Sequence, residues 1–168
     1  MAITVGILGP SGQGKTTSLV IGPDGKYKPE AYDGMNPETT VMFNSDRKHL
    51  PIKGGLFAPE KNNLYVTSDV NEITNLLGKI NAGTRVKAVY IDTINGIMCD
   101  TEMLESKKMT YDKWMDLAKD IYALISYINS LRDDLIVYLS GHVTIYTDVD
   151  GNESKCLVTN GRLLPLSA

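Results

Sequence analysis

Cysteine is scarce in this chain, and what there is excludes two classes of protein. Cys99 and Cys156 lie far apart, with no second Cys or His beside either at metal-ligand spacing. Neither a disulfide framework nor a zinc site is encoded, and both thiols are read as reduced. Long apolar runs are also missing. No stretch approaches the ~18 residues of a membrane helix, and the N-terminus enters a β-rich run with no charged leader, so the expectation is cytoplasmic, with no membrane partner. Arginine is limited to Arg47, Arg85, Arg132 and Arg162, none of them clustered, and the net charge is −3. No global basic field exists to hold a polyanion. Nucleic-acid contact would need a local patch or the repeated patches of an oligomer. The compact basic clusters are Lys107-Lys108 and Arg47-Lys48-His49, each also readable as a solvated face. With 42% hydrophobic and 22% charged residues in 168, one core suffices, and residues 1–168 are read as a single domain.

Against those absences stands Gly9-Pro10-Ser11-Gly12-Gln13-Gly14-Lys15-Thr16, which fits G-x-x-x-x-G-K-[ST] at every fixed position and follows the apolar run Ile3 to Leu8. A strand running into such a loop and a helix running out of it create an anion site. The glycines let backbone N–H groups curl round a β-phosphate, and the helix points its positive end at the same charge. Lys15 is expected to reach the β- and γ-phosphates, and the Thr16 hydroxyl to join a magnesium shell. Pro10, Ser11, Gly12, Gln13, Gly14, Lys15, Thr16 and Thr17 are therefore the candidate nucleotide-binding residues, for a nucleoside triphosphate with Mg²⁺.

Further along, β-rich runs alternate with segments of helical period, as in a parallel α/β sheet. Strands are expected at Thr39–Phe43, Leu64–Thr67, Val86–Ile91 and Leu135–Ser140. Helices are expected from Lys15 to Ile21, from a cap at Asp69 or Ser68 to Gly83, and from Thr110 onward. The last carries a core stripe of Trp114, Leu117, Ala118, Ile121, Leu124, Ile125, Ile128 and Leu131. Asn44 to Asn63 reads as a long loop. Val143–Val149 and Lys155–Val158 flank the turn dipeptide Asp150-Gly151 as a C-terminal hairpin, and the spacing of its acids does not fit a calcium loop.

The run Val86 to Ile91 leads directly into Asp92. A carboxylate closing a strand is the second half of a magnesium–nucleotide site, and its pairing with the phosphate loop makes Asp92 and Thr16 the candidate metal ligands. Guanine recognition by Asn-Lys-x-Asp is absent, and Thr93-Ile94-Asn95-Gly96 after the acid is one residue too long for a D-x-x-G switch, so ATP is favoured over GTP. A small-molecule kinase would usually carry an arginine-rich lid, so the scattered arginines demote the kinase reading without removing it. What remains is a RecA-like arrangement, in which the strand after the magnesium acid ends in a polar sensor. Ser140-Gly141-His142 occupies that place.

These segments, taken in order, resemble the phage-encoded RecA-like ATPases, a group that includes the Sak-type single-strand annealing proteins. The likeness runs through Gly9–Thr16, Asn44 with Lys48, Leu50 and Pro51, Ile91-Asp92, Tyr111-Asp112-Lys113-Trp114, Leu131-Arg132-Asp133-Asp134-Leu135, Gly141-His142 and Thr159-x-Gly161-Arg162. It implies a RecA-like mostly parallel sheet flanked by helices, with ATP, Mg²⁺, homo-oligomeric assembly and a role with single-stranded DNA beside phage recombination, repair or replication proteins in the host cytoplasm. Relatives continue past the segment matching Gly161–Ala168 into another apolar strand, so the resemblance implies a missing edge strand here.

Asp46 is the positional candidate for the carboxylate that orients water, although Asn-Ser-Asp is also turn chemistry. His142 is the candidate γ-phosphate sensor. Arg162 is the candidate arginine finger, against a solvated hairpin residue. Two functions stay open: an ATP-hydrolysing subunit acting on single-stranded DNA, and an ATP-dependent assembly switch or scaffold with little turnover.

Overall fold

The structure, a computed structural model, describes residues 1–20, 35–50, 55–104, 112–147, 150–157 and 164–165. In chain order these form β1 (Ile3–Leu8), α1 (Lys15–Val20), β2 (Thr40–Asn44), β3 (Leu64–Tyr65), α2 (Val70–Ala82), β4 (Ala88–Asp92), α3 (Ile94–Leu104), α4 (Asp112–Ser130), β5 (Ile136–Gly141), β6 (Val143–Thr147), β7 (Glu153–Leu157) and β8 (Leu164–Pro165). The first five strands make one parallel sheet in the order β1-β5-β4-β2-β3. The last three make a separate antiparallel sheet.

Register brings the functional ends of the strands together. Leu8 pairs with Gly141 and Asn44 with Asp92, so the C-terminal ends of β1, β5, β4 and β2 share one edge. Ligands of open α/β sheets bind at that edge. Because β5 lies between β1 and β4, the phosphate loop and Asp92 face each other across one strand rather than side by side.

Period-2 alternation sends Val41, Phe43, Val89, Ile91 and Val137 to one face, where they pack on Ile73 and Leu77 of α2, Ile97 of α3, and Leu124, Ile128 and Leu131. Met42 and Tyr90 point to the other face, against Met35 and Phe57. β2 is buried on both faces, which explains why its sequence is nearly continuously apolar rather than alternating. On α4 the buried stripe runs through Leu124 and Ile128, with Ile121 and Ile125 half-buried. Ala118, expected inside, faces solvent. Thr110 and the side chains of Trp114 and Leu117 lie outside the described residues.

Of the two caps offered for α2, Asp69 does the work: its carboxylate accepts from the N–H groups of Asn71 (2.8 Å) and Glu72 (3.4 Å). β3 is shorter than expected because Thr67 joins that cap, taking the Asp69 N–H at 3.2 Å and bonding Glu72. At the other end, the Arg132 guanidinium donates to the carbonyls of Ile80, Gly83 and Val86 and pairs with Asp134 at 2.7 Å. One arginine thus closes the exposed carbonyl end of α2 and ties it to the lead-in of β4.

The buried amide of Asn63 organises the long loop, accepting from Ala58 N–H (2.9 Å) and donating to the carbonyls of Pro37 (3.0 Å) and Leu56 (2.9 Å). The hairpin is present, paired from Val143↔Leu157 to Thr147↔Glu153, with Gly151 at φ +85° in its connection. Among the described residues, three elements have no counterpart in the sequence reading: a 3₁₀ turn at Pro59–Lys61 within the long loop, α3, whose start carries Asn95-Gly96 where a turn would, and β8.

Candidate functional site

The phosphate loop follows β1 directly. Gly12 and Gly14 hold φ of +79° and +72°, and a Cβ at either would meet nothing within 4 Å. Glycine is needed there for its left-handed backbone, not for space. At the start of α1, Lys15 Nζ donates to the carbonyls of Gly9 and Pro10 at 2.9 Å each and lies 3.3 Å from His142 Nδ1. Burial lowers the Lys15 pKa, while the charges of Asp92 and Asp46 oppose that.

Asp92, closing β4, is held by two hydroxyls. Thr16 Oγ1 donates to Oδ2 at 2.6 Å, and Ser140 Oγ, fully buried on β5, donates to Oδ1 at 2.7 Å. Hydroxyl and carboxylate oxygens are hard donors. Magnesium characteristically takes one or two such protein ligands and fills its shell with waters and phosphate oxygens rather than using an all-protein cage. Thr16 and Asp92 fit that description, and among the described residues no cluster of three His, Cys, Asp or Glu offers a cage.

Asp46 stands just past β2, beside the end of β4. The N–H groups of Ser45 (2.7 Å) and Asp46 (3.3 Å) donate to the Asp92 carbonyl. Its carboxylate accepts from Thr93 Oγ1 and Lys48 Nζ, both at 2.8 Å, and lies 3.9 Å from His142 Nε2. Burial pushes this carboxyl up, but the hydrogen bonds from Lys48 and Thr93, with the charges of Lys48 and His142, outweigh it and hold the group below its ordinary value. The His142 N–H is fixed by Asn95 Oδ1 at 2.7 Å.

Lys15, Thr16, Asp46, Asp92 and His142 are therefore brought together at the strand edge. Pro10 to Gly14 form the loop above it, and Thr17 sits half-buried on α1. Arg162 and Lys107-Lys108 lie outside the described residues. Sequence reasoning placed Ser140 at the sensor position without its bond to Asp92, and missed Thr93, Asn95 and Gly96 as parts of the site, because each acts through a partner more than forty positions away. It also missed Tyr90. This phenol is fully buried two residues before Asp92 on the same face of β4, with no well-formed hydrogen bond among the described residues. Burial and the Asp92 charge push its pKa up to about 12, against the pull of the Ser140 and Thr16 hydroxyls.

No known protein family's profile matches the chain, and no curated protein matches it. Among solved structures, a KaiC-like protein from the hyperthermophilic archaeon Pyrococcus horikoshii is similar at 12% identity, with 99% of this chain and 82% of that one covered and a TM-score of 0.49. The strand order, the left-handed glycines of the loop and the strand-end carboxylate bonded to Thr16 define an α/β phosphate-loop NTPase fold with a RecA-like, mostly parallel sheet and a C-terminal hairpin. No helix among the described residues is long and apolar enough to cross a membrane.

Proposed function

We propose that this chain is a magnesium-dependent ATPase, one RecA-like domain over residues 1–168. In this reading it assembles with copies of itself and acts with single-stranded DNA in phage recombination, repair or replication, in the host cytoplasm. The observation that carries the reading is the convergence of Lys15, Asp92 and Asp46 on one strand edge, linked through Thr16, Thr93 and His142. Bound magnesium supplies charge neutralisation at the phosphates. Lys15 exchanges its two carbonyl partners for phosphate oxygens. Both Asp92 oxygens are oriented by hydroxyls, Oδ2 by Thr16 and Oδ1 by Ser140. Asp46, held ionised, is the acceptor that orients or deprotonates the attacking water. His142, between Lys15 and Asp46, reports the γ-phosphate to the carboxylate.

An ATP-dependent assembly switch with little turnover is the second reading. It is favoured by the full engagement of Asp46, whose oxygens already accept from Thr93 and Lys48. A kinase lid finds less support: Arg47 pairs with Asp100, Arg85 bonds the Glu38 carbonyl and Arg132 caps α2.

With a net charge of −3 and only short basic clusters in the sequence, one copy should bind DNA poorly and affinity should require assembly, because it scales with the number of phosphates neutralised. The Asn44 to Gly55 loop and Lys107-Lys108 are the proposed contacts. Fluorescence anisotropy with a labelled oligonucleotide, run beside light scattering, tests this. Binding should appear with ATP-promoted assembly and fall steeply with salt. Tight binding by a nucleotide-free monomer would contradict it, and no binding by an oligomer at low salt would favour the switch.

A further inference from the structure

The first turn of α3 is packed against the Asp46 turn more closely than any side chain would permit. A Cβ on Gly96 would lie 2.4 Å from Asp46 Oδ1, 2.8 Å from the Ser45 carbonyl carbon and 2.9 Å from Asp46 N. Unlike Gly12 and Gly14, Gly96 has no positive φ. It is glycine because of what it touches. One turn further along the same helix face, Asp100 Oδ2 lies 3.0 Å from Arg47 Nη2 and accepts from the Ser68 hydroxyl. Arg47 holds φ +53°, a region that arginine seldom occupies, and its guanidinium also reaches Ser68 Oγ at 3.4 Å. Just before the helix, the Thr93 hydroxyl accepts from Gly96 N–H at 3.1 Å while donating to Asp46 Oδ1 at 2.8 Å. Two points on α3 and one residue just before it grip the residues around one carboxylate.

We infer that α3 sets the position of the Asp46 carboxylate, with Gly96 and Asp100 as positioning residues for hydrolysis: Gly96 by leaving room for the turn, Asp100 by pinning Arg47. This rests on the reading of Asp46 as the water-orienting group. α3 begins immediately after β4, so the element that grips Asp46 is continuous with the strand that ends in Asp92. The two carboxylates are thereby held in one rigid unit, as an in-line attack requires. An added methyl at position 96 must displace the Asp46 turn, and a displacement on the order of 1 Å can cost about a hundredfold in rate.

The test compares wild type, Asp46→Asn, Gly96→Ala and Asp100→Asn for kcat and KM with magnesium–ATP, and for hydrogen exchange at the Ser45 and Asp46 amides that donate to the Asp92 carbonyl. Expected are a kcat loss of about tenfold or more in Gly96→Ala, a smaller loss in the near-isosteric Asp100→Asn, KM within about twofold in both, and faster exchange at both amides. If Asp46→Asn is inactive while Gly96→Ala and Asp100→Asn turn over at the wild-type rate, the inference fails and the assignment of Asp46 stands. Wild-type turnover by Asp46→Asn removes the assignment itself and the inference with it. A rise in KM matching the loss in kcat, with exchange unchanged, would also overturn the inference, because it would mark Gly96 and Asp100 as general scaffold.

Discussion

Thr16 Oγ1 donates to Asp92 Oδ2 over 2.6 Å although 76 positions separate the two residues in the chain. Their strands do not touch: β5 lies between β1 and β4 and adds Ser140 to the other carboxylate oxygen. A hydroxyl at the head of α1 and a carboxylate at the end of β4 are in this way fixed as a hydrogen-bonded pair. The pairing converts two separate sequence patterns into one candidate magnesium site.

Asp92→Asn should therefore lower ATP affinity at least about tenfold in the presence of magnesium and leave magnesium-free binding nearly unchanged, since the lost charge acts through the ion. Calorimetry with magnesium and with chelator separates the two. Equal losses would make Asp92 a structural partner of Thr16 and Ser140 and nothing more.

Asp46→Asn should reduce turnover roughly a hundredfold or more with little change in nucleotide affinity. Its carboxyl is held below the ordinary aspartate value, so the unfolded chain takes up the proton first. The stability it contributes is then fully present above about pH 4 and fades as pH falls through the lower folded value. Melting curves of wild type and Asp46→Asn across that acid range should converge at the bottom of it. A constant gap would contradict the assignment of the shift.

Arg132→Ala should destabilise the protein by about 2–3 kcal/mol, because it strips charged donors from the carbonyls of Ile80, Gly83 and Val86. For a chain of this size that lowers the melting temperature by roughly 4–12 °C. ATP affinity should be unaffected, since Arg132 contacts no residue of the phosphate loop. Loss of nucleotide binding without loss of stability would show that its position in the family-like segment has another purpose.

Tyr90→Phe removes a buried hydroxyl that has no well-formed hydrogen bond among the described residues. Leaving such a group unsatisfied costs about 1–3 kcal/mol, so the variant should be at least as stable as wild type. A melting temperature several degrees lower would mean that the phenol is bonded in solution, with Ser140 and Thr16 as the neighbours to test next.

The phosphate loop, the strand that ends in Asp92 and the alternation of strands with helices were legible in the sequence because each is encoded locally. Gly12, Gly14 and Lys15 occupy fixed positions, and the apolar run before Asp92 announces a buried strand. Asp46 and His142 were legible only as positions after a strand. Their partners were not, because Thr93 and Asn95 are ordinary polar residues until the sheet brings the ends of β2, β4 and β5 to one edge. α3 shows the limit most directly. Asn95-Gly96 is a turn signal by propensity, and it becomes the first turn of a helix because Thr93 accepts the Gly96 N–H and the Asp46 turn leaves no room for a side chain. Here tertiary packing selected the residue, and local pattern pointed the other way.

The most direct test of the central claim is an ATP titration by calorimetry of wild type and Lys15→Ala in magnesium, with circular dichroism confirming that both are folded. Among the described residues the Lys15 ammonium donates to two loop carbonyls and lies beside His142, polar contacts whose removal should leave the fold intact. The account predicts saturable binding by wild type and its loss, by about a hundredfold or more, in the variant. Equal affinity in the two proteins, or no binding by wild type, would contradict the account.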